Sequence, residues 1–163
     1  MKTKNITMGL TAFALMGAMA LPVSAQETEQ TKDTTITANV QPTYTLSIPA
    51  DTTVKFEATS TDLAGKLKVS GNVLPTQEVV VTAQADTFHN TAQNTDLPYK
   101  LMNGSEEFTT ATWDEDTLRA GLQEEQGTAI QLSIAIDEND WKTAEAGDYT
   151  GTITFTANLQ DKQ

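Results

Sequence analysis

Hydrophobic and polar residues alternate over most of the chain after Thr34, which is the pattern of strands with one buried face. The clearest case is GDYTGTITFTANL, from Gly147 to Leu159. Its apolar set is Tyr149, Gly151, Ile153, Phe155, Ala157 and Leu159, and threonine or asparagine fills the positions from 150 to 158 between them. We predict a strand here, with Phe155 buried and Thr154 and Thr156 exposed.

Shorter runs of the same kind precede it, divided by Pro, Gly, Asp or Ser residues that favour turns. The first is TTITANV, from Thr34 to Val40, whose apolar face is Ile36, Ala38 and Val40. The others are TYTLSIP, TTVKFEA with Val54 and Phe56 on its apolar face, GKLKVSGNV and TAIQLSIAID, the last of which contains Ile134, a predicted core residue. QEVVVTAQA is also of strand length but is more continuously apolar. The polar stretch TFHNTAQNTD has no such pattern and is predicted to be a loop.

Two segments carry other local signals. The Asn103-Gly104 pair predicts a hairpin turn, because both central positions of a tight turn need positive φ. A two-residue turn there would place Tyr99 opposite Phe108. The stretch DEDTLRAGLQEEQG is the one predicted helix, with leading acids and leucines four residues apart.

Regularly spaced short strands with a single helical segment predict an all-β fold, a single antiparallel β-sandwich over residues 34–163. The alternating segments are numerous enough to form two sheets without a strand from another molecule. We therefore expect the last strand to pack in its own domain. TTITANV should lie beside it as a second terminal strand.

Residues 1–25 have the features of a secretory signal peptide. Lys2 and Lys4 precede an apolar run, and the small residues of VSA place cleavage after Ala25. A membrane anchor is the alternative, but Pro22 and the small-residue site favour cleavage. Residues 26–33 are polar and predict a flexible leader. The expected location is therefore extracellular or on the cell surface, with no membrane span after cleavage.

The charge balance narrows the range of partners. The chain has 22 acidic and 10 basic residues and a net charge of −12. Removal of Lys2 and Lys4 with the signal leaves 8 basic residues and a net charge of −14. Such a chain is repelled by nucleic acid and by anionic membranes. It has no cysteine, so it has no disulfide and no thiolate nucleophile or metal ligand.

Both ends of the domain resemble known secreted proteins. TITANVQPTYTLSIPADTTVKF and AGDYTGTITFTANL resemble the ends of small immunoglobulin-like proteins of bacterial surfaces. They are also similar to the ends of fimbrial major subunits of the colonisation-factor type, which donate an N-terminal strand to a neighbour. The resemblance implies that the predicted fold is a single antiparallel immunoglobulin-like β-sandwich. It also implies a non-catalytic surface module for adhesion or ligand binding, with a protein or glycan partner. The alternative is a pilin-like subunit that self-associates by strand donation.

Residues suited to catalysis are few. His89 is the only histidine, so no histidine cluster can hold a metal. A serine triad would need His89 with Ser60, Ser70 or Ser105, and none of these serines lies in a Gly-x-Ser-x-Gly sequence. We expect no enzyme activity, with a small secreted hydrolase as the weakest alternative.

Two short runs place acidic residues beside a tryptophan, WDED at Trp113 and DENDW at Trp141. Trp113 and Trp141 are candidate ligand contacts, although tryptophan in a β-sandwich more often packs in the core. The acids of WDED suit a helix start, and DENDW suits a β-turn. Asp137, Asn139 and Asp140 are candidate calcium ligands, and no other cofactor is expected.

Overall fold

The computed structural model describes residues 31–123 and 129–163. The predicted signal peptide, most of the predicted leader and the end of the predicted helix lie outside these residues. Residues 39–163 belong to one compact unit, and residues 31–42 contain neither helix nor strand.

The described part of the chain is built mainly from short strands. In chain order the elements are β1 (Thr43–Ser47), β2 (Ser60–Asp62), β3 (Lys68–Asn72), β4 (Gln77–Ala85), β5 (Phe88–Asn90), β6 (Thr95–Leu97), β7 (Lys100–Asn103), β8 (Glu106–Glu107), β9 (Thr110–Asp114), α1 (Glu115–Gln123), β10 (Ser133–Ala135), α2 (Glu138–Thr143) and β11 (Ile153–Asp161). The predicted all-β class is confirmed, with two short helices where one was expected.

All the strand pairs are antiparallel. One sheet has the order β11-β4-β9, and a second has the order β2-β10-β7-β8. β1 pairs with β3, and β5 forms a hairpin with β6. The longest ladder joins β11 to β4, from Ile153 opposite Ala85 to Asp161 opposite Gln77.

The core lies where the apolar faces of these strands meet. Val79 and Val81 of β4 are fully buried, as is Leu118 of α1, and Ile134 of β10 is buried as predicted. Asp114 directly precedes α1, and its carboxylate accepts a hydrogen bond from the backbone N–H of Thr117 at 2.9 Å. This contact is a helix N-cap, because it satisfies one of the N–H groups that the first turn leaves unpaired.

The predicted N-terminal strand is absent. TTITANV forms no strand, Ile36 is 90% exposed and Val40 is 71% exposed. The prediction that this segment pairs inside its own domain is therefore wrong. TTVKFEA is not a strand either, since residues 56 and 57 form a turn and Phe56 is 74% exposed.

Three local predictions also need correction. The predicted loop at 87–96 contains the β5–β6 hairpin, because the Asn90 side chain accepts from the N–H groups of Ala92 and Gln93 and closes a tight turn. DENDW begins helix α2 rather than forming a β-turn. The Asn103-Gly104 hairpin exists with Met102 opposite Glu107, so the predicted pairing of Tyr99 with Phe108 is wrong.

Candidate functional site: the open edge of β11

β11 pairs with β4 and with no other described strand, so it is the edge of its sheet. Its apolar side chains, Ile153, Phe155, Ala157 and Leu159, pack against the core but stay half-buried. Thr154 and Thr156 are exposed, as predicted. The prediction of a buried Phe155 needs correction, because no neighbouring strand covers the outer side of β11.

The backbone of β11 points half of its hydrogen-bonding groups away from β4 at this edge. At the two ends of the ladder, Asp86 N–H donates to Thr152 O at 3.0 Å and Lys162 N–H donates to Thr76 O at 2.8 Å. The even-numbered residues of β11 therefore form the hydrogen bonds to β4. In an antiparallel ladder the alternate residues point their N–H and C=O groups the other way. The outward groups therefore belong to Ile153, Phe155, Ala157 and Leu159.

β1 lies on the far side of this edge without forming a ladder with it. The Tyr44 hydroxyl donates to the carbonyl oxygen of Ala157 at 3.2 Å, which confirms that this carbonyl points away from β4. β1 is paired with β3 alone among the described strands. The Tyr44 side chain bridges the two strands, and no described strand forms a ladder with β11 on this side.

A cleft of about 370 Å³ lies beside the start of β11. One wall is the chain from Ile48 to Thr52, and the other is the chain from Thr150 to Ile153. Leu63 and Ile134 line it from the core. An apolar side chain from an added strand would contact these core residues, which gives the cleft the form of a side-chain pocket.

Tyr99 also lines this cleft and packs against Phe88, with ring centroids 4.5 Å apart. Burial raises the pKa of the Tyr99 phenol, and the negative charge of Asp86 raises it further. The phenol is therefore neutral at physiological pH, and the cleft gains no negative charge from it.

The two tryptophans predicted as ligand contacts occupy different environments. Trp113 of β9 is 2% exposed and packs in the core, so it cannot contact a ligand at the surface. Trp141 of α2 is half-buried, and its indole N–H donates to the carbonyl oxygen of Ala58 at 3.0 Å. Its ring is therefore fixed in place but still reaches the surface.

The candidate calcium ligands lie at the start of α2. Asp137 is the N-cap, and its carboxylate accepts from Asn139 N–H at 2.8 Å. Successive residues of a helix point about 100° apart, so a run of acids does not converge on one point. Within residues 31–123 and 129–163, no group of three or more acidic or histidine side chains is placed to hold a metal ion.

His89 does not stand alone in a loop. It lies in β5, and its Nδ1 contacts the Asp96 carboxylate of β6 at 2.7 Å. Its backbone also exchanges hydrogen bonds with Thr150, just before β11. These contacts connect the β5–β6 hairpin to the chain that leads into β11, which is a structural role.

No protein-family model matches this sequence, and no curated protein is significantly similar to it. Within the described residues, no helix combines the length and the hydrophobicity needed to cross a bilayer.

Sequence patterns could indicate part of this site. The alternation of GDYTGTITFTANL revealed β11 and its apolar face. It could not reveal that the face is half-covered, because that depends on how many strands pair beside it. The bridge from Tyr44 to Ala157 joins residues 113 positions apart, and no local signal marks it.

Proposed function

We propose that this chain is a secreted, non-catalytic surface protein of bacteria that assembles by strand donation. Residues 34–40 of one copy would add to the open edge of β11 in the next copy. The observation that carries the proposal is the outward-facing backbone of β11, which pairs with no described strand on that side. This reading favours the pilin-like alternative over a monomeric adhesion module.

The proposed donor matches this edge in length and pattern. Seven extended residues span about 23 Å, and the nine residues of β11 span about 30 Å, at about 3.3 Å per residue. Ile36, Ala38 and Val40 alternate with polar residues, as an added strand with one covered face requires. In strand addition the backbone hydrogen bonds provide affinity and the alternate side chains provide specificity.

Charge also favours this donor. TTITANV contains no charged residue, whereas the rest of the mature chain is strongly acidic. An uncharged strand can therefore enter an acidic neighbour without repulsion between like charges. The cleft beside Ile48 would receive one of its apolar side chains.

Size measurement of the predicted mature chain, residues 26–163, tests the proposal. We expect assemblies that grow with protein concentration in sizing chromatography with light scattering. Ile36→Asp should abolish assembly, because it would place a charge on the covered face of the donor. Thr37→Asp is the matched control on the opposite face and should assemble like the parent chain.

Two results would contradict strand donation. One is a parent chain that stays monomeric at every concentration, which would favour the monomeric adhesion module. The other is an Ile36→Asp variant that assembles as well as Thr37→Asp.

A further inference from the structure

Phe56 is an exposed aromatic residue held in a fixed position. Its ring is 74% exposed and meets the ring of Trp141 edge to face, with centroids 5.6 Å apart and planes at 80°. The two nearly perpendicular rings form a corner, and both residues line the same cleft.

The backbone holds this corner in place. Ala58 N–H donates to Lys55 O at 3.1 Å and closes a turn with Phe56 and Glu57 at its centre. The carbonyl of the same Ala58 accepts the indole N–H of Trp141, so one residue positions both rings. Glu57 has φ 63°, which is unfavourable for a residue other than glycine. A strained turn that exposes a phenyl ring contributes little to the core, and such features cluster at binding sites.

The corner opens into a cleft of about 340 Å³, a size that suits a small ligand. Tyr149 and Phe88 add two further aromatic rings, and Asp148 adds a carboxylate. The remaining lining residues are Thr52, Thr53, Val54, Leu97 and Gly147, so none of the lining residues is basic.

We infer that this cleft binds an alkylammonium group, either a quaternary ammonium ion or the ammonium of a lysine side chain. A cation is attracted to the faces of aromatic rings within about 6 Å, and several rings around one cation form an aromatic cage. The perpendicular faces of Phe56 and Trp141 suit a compact, rounded group of this kind. A sugar ring would instead stack on one flat, open aromatic face.

Charge supports a cation in particular. Asp148 is exposed and makes no ion pair with any residue in the described ranges. Lys142, next to Trp141, lies 3.9 Å from the Glu138 carboxylate and does not line the cleft. The chain as a whole has a net charge of −12, which concentrates cations near its surface.

The test is a titration of the predicted mature chain followed by NMR of its two indole N–H signals. Choline chloride and Nα-acetyl-lysine amide are the probes, and 3,3-dimethylbutan-1-ol is the neutral isostere of choline. We expect the Trp141 signal to shift and saturate with at least one cation, while the signal of the buried Trp113 stays in place. The tighter of the two cations identifies the source of the ammonium group.

Two variants test the parts of the cleft. Phe56→Leu keeps an apolar side chain but removes the ring, and Asp148→Asn removes the charge. Each should weaken binding by about three- to thirtyfold, the range expected for a lost cation–π or close charge contact. Asp62→Asn removes an exposed charge from β2, outside the cleft, and should bind like the parent chain.

The inference is overturned if neither cation moves the Trp141 signal or if the neutral isostere binds as tightly as choline. It is also overturned if methyl glucoside binds in place of the cations, or if Phe56→Leu binds them unchanged. Because Phe56 lies outside the donor segment and β11, these results are separable from those of the assembly experiment.

Discussion

At the residue scale, single polar contacts decide where elements begin. Asp114 ends β9 and caps α1, since its carboxylate accepts from both the N–H and the hydroxyl of Thr117. These hydrogen bonds lower the pKa of Asp114, with the hydroxyl contact as the largest cause. The acids of WDED were correctly interpreted from sequence as a helix start, because cap residues are a local signal.

Asp114→Ala should lower the free energy of unfolding at neutral pH by about 1 kcal/mol, the usual cost of losing an N-cap. Because the pKa of Asp114 is lower in the folded state, its ionised carboxylate stabilises the fold fully at pH values above the ordinary Asp pKa. That contribution is lost as the pH falls through the lowered value. The difference between parent and variant in urea melts should therefore shrink in acid.

Asp116→Ala is the control for this change, since Asp116 lies in the first turn of α1 without being its cap. It should have a smaller effect at neutral pH. If both variants lower the free energy of unfolding equally, Asp114 does not stabilise α1 as its N-cap.

Gly71 of β3 is a second residue on which an element depends. A Cβ atom there would lie 2.3 Å from Thr43 O and 2.7 Å from Tyr44 Cα, both backbone atoms of β1. Gly71→Ala should destabilise the fold by about 2 kcal/mol or more, because β1 would have to move. Ser70→Ala, at the neighbouring position, should cost much less in the same urea melts, and a mild effect of Gly71→Ala would contradict this close approach.

At the element scale, several strands lie inside the segments whose apolar pattern predicted them. β4 matches QEVVVTAQA, whereas β10 is shorter than TAIQLSIAID and β11 begins later than GDYTGTITFTANL. TTITANV and TTVKFEA have the same alternation and form no strand in the described chain. The pattern states which residues could share a face, but a strand also needs a partner edge for its backbone. Sequence alone does not show whether that edge belongs to the same molecule.

The two faces of β11 can be compared directly by mutation. Truncation of a fully buried Phe costs about 3–5 kcal/mol, but Phe155 is half-covered, so Phe155→Ala should cost about 2 kcal/mol in the monomer. Thr154→Ala, on the exposed face, should cost well under 1 kcal/mol. Urea melts at low protein concentration measure both, and comparable losses would mean that the two faces of β11 are assigned wrongly.

At the scale of the whole molecule, sequence was sufficient for the all-β fold class and for the burial of Ile134, but not for the half-buried state of Phe155. The open edge between β1 and β11 could not be predicted, since it arises from strand order and from contacts such as Tyr44 to Ala157. The aromatic corner was missed for a similar reason. Phe56 was assigned to a buried strand face, and only the turn at Glu57 brings it out beside Trp141.

The central claim is that the outward backbone groups of β11 receive residues 34–40 of another copy. Hydrogen exchange of the predicted mature chain at low and high protein concentration measures this directly. At high concentration the amides of Ile153, Phe155, Ala157 and Leu159 should become protected together with those of residues 34–40, and the β9 amides should not change. If these β11 amides exchange equally fast at both concentrations while the chain assembles, another surface forms the contact and the account is wrong.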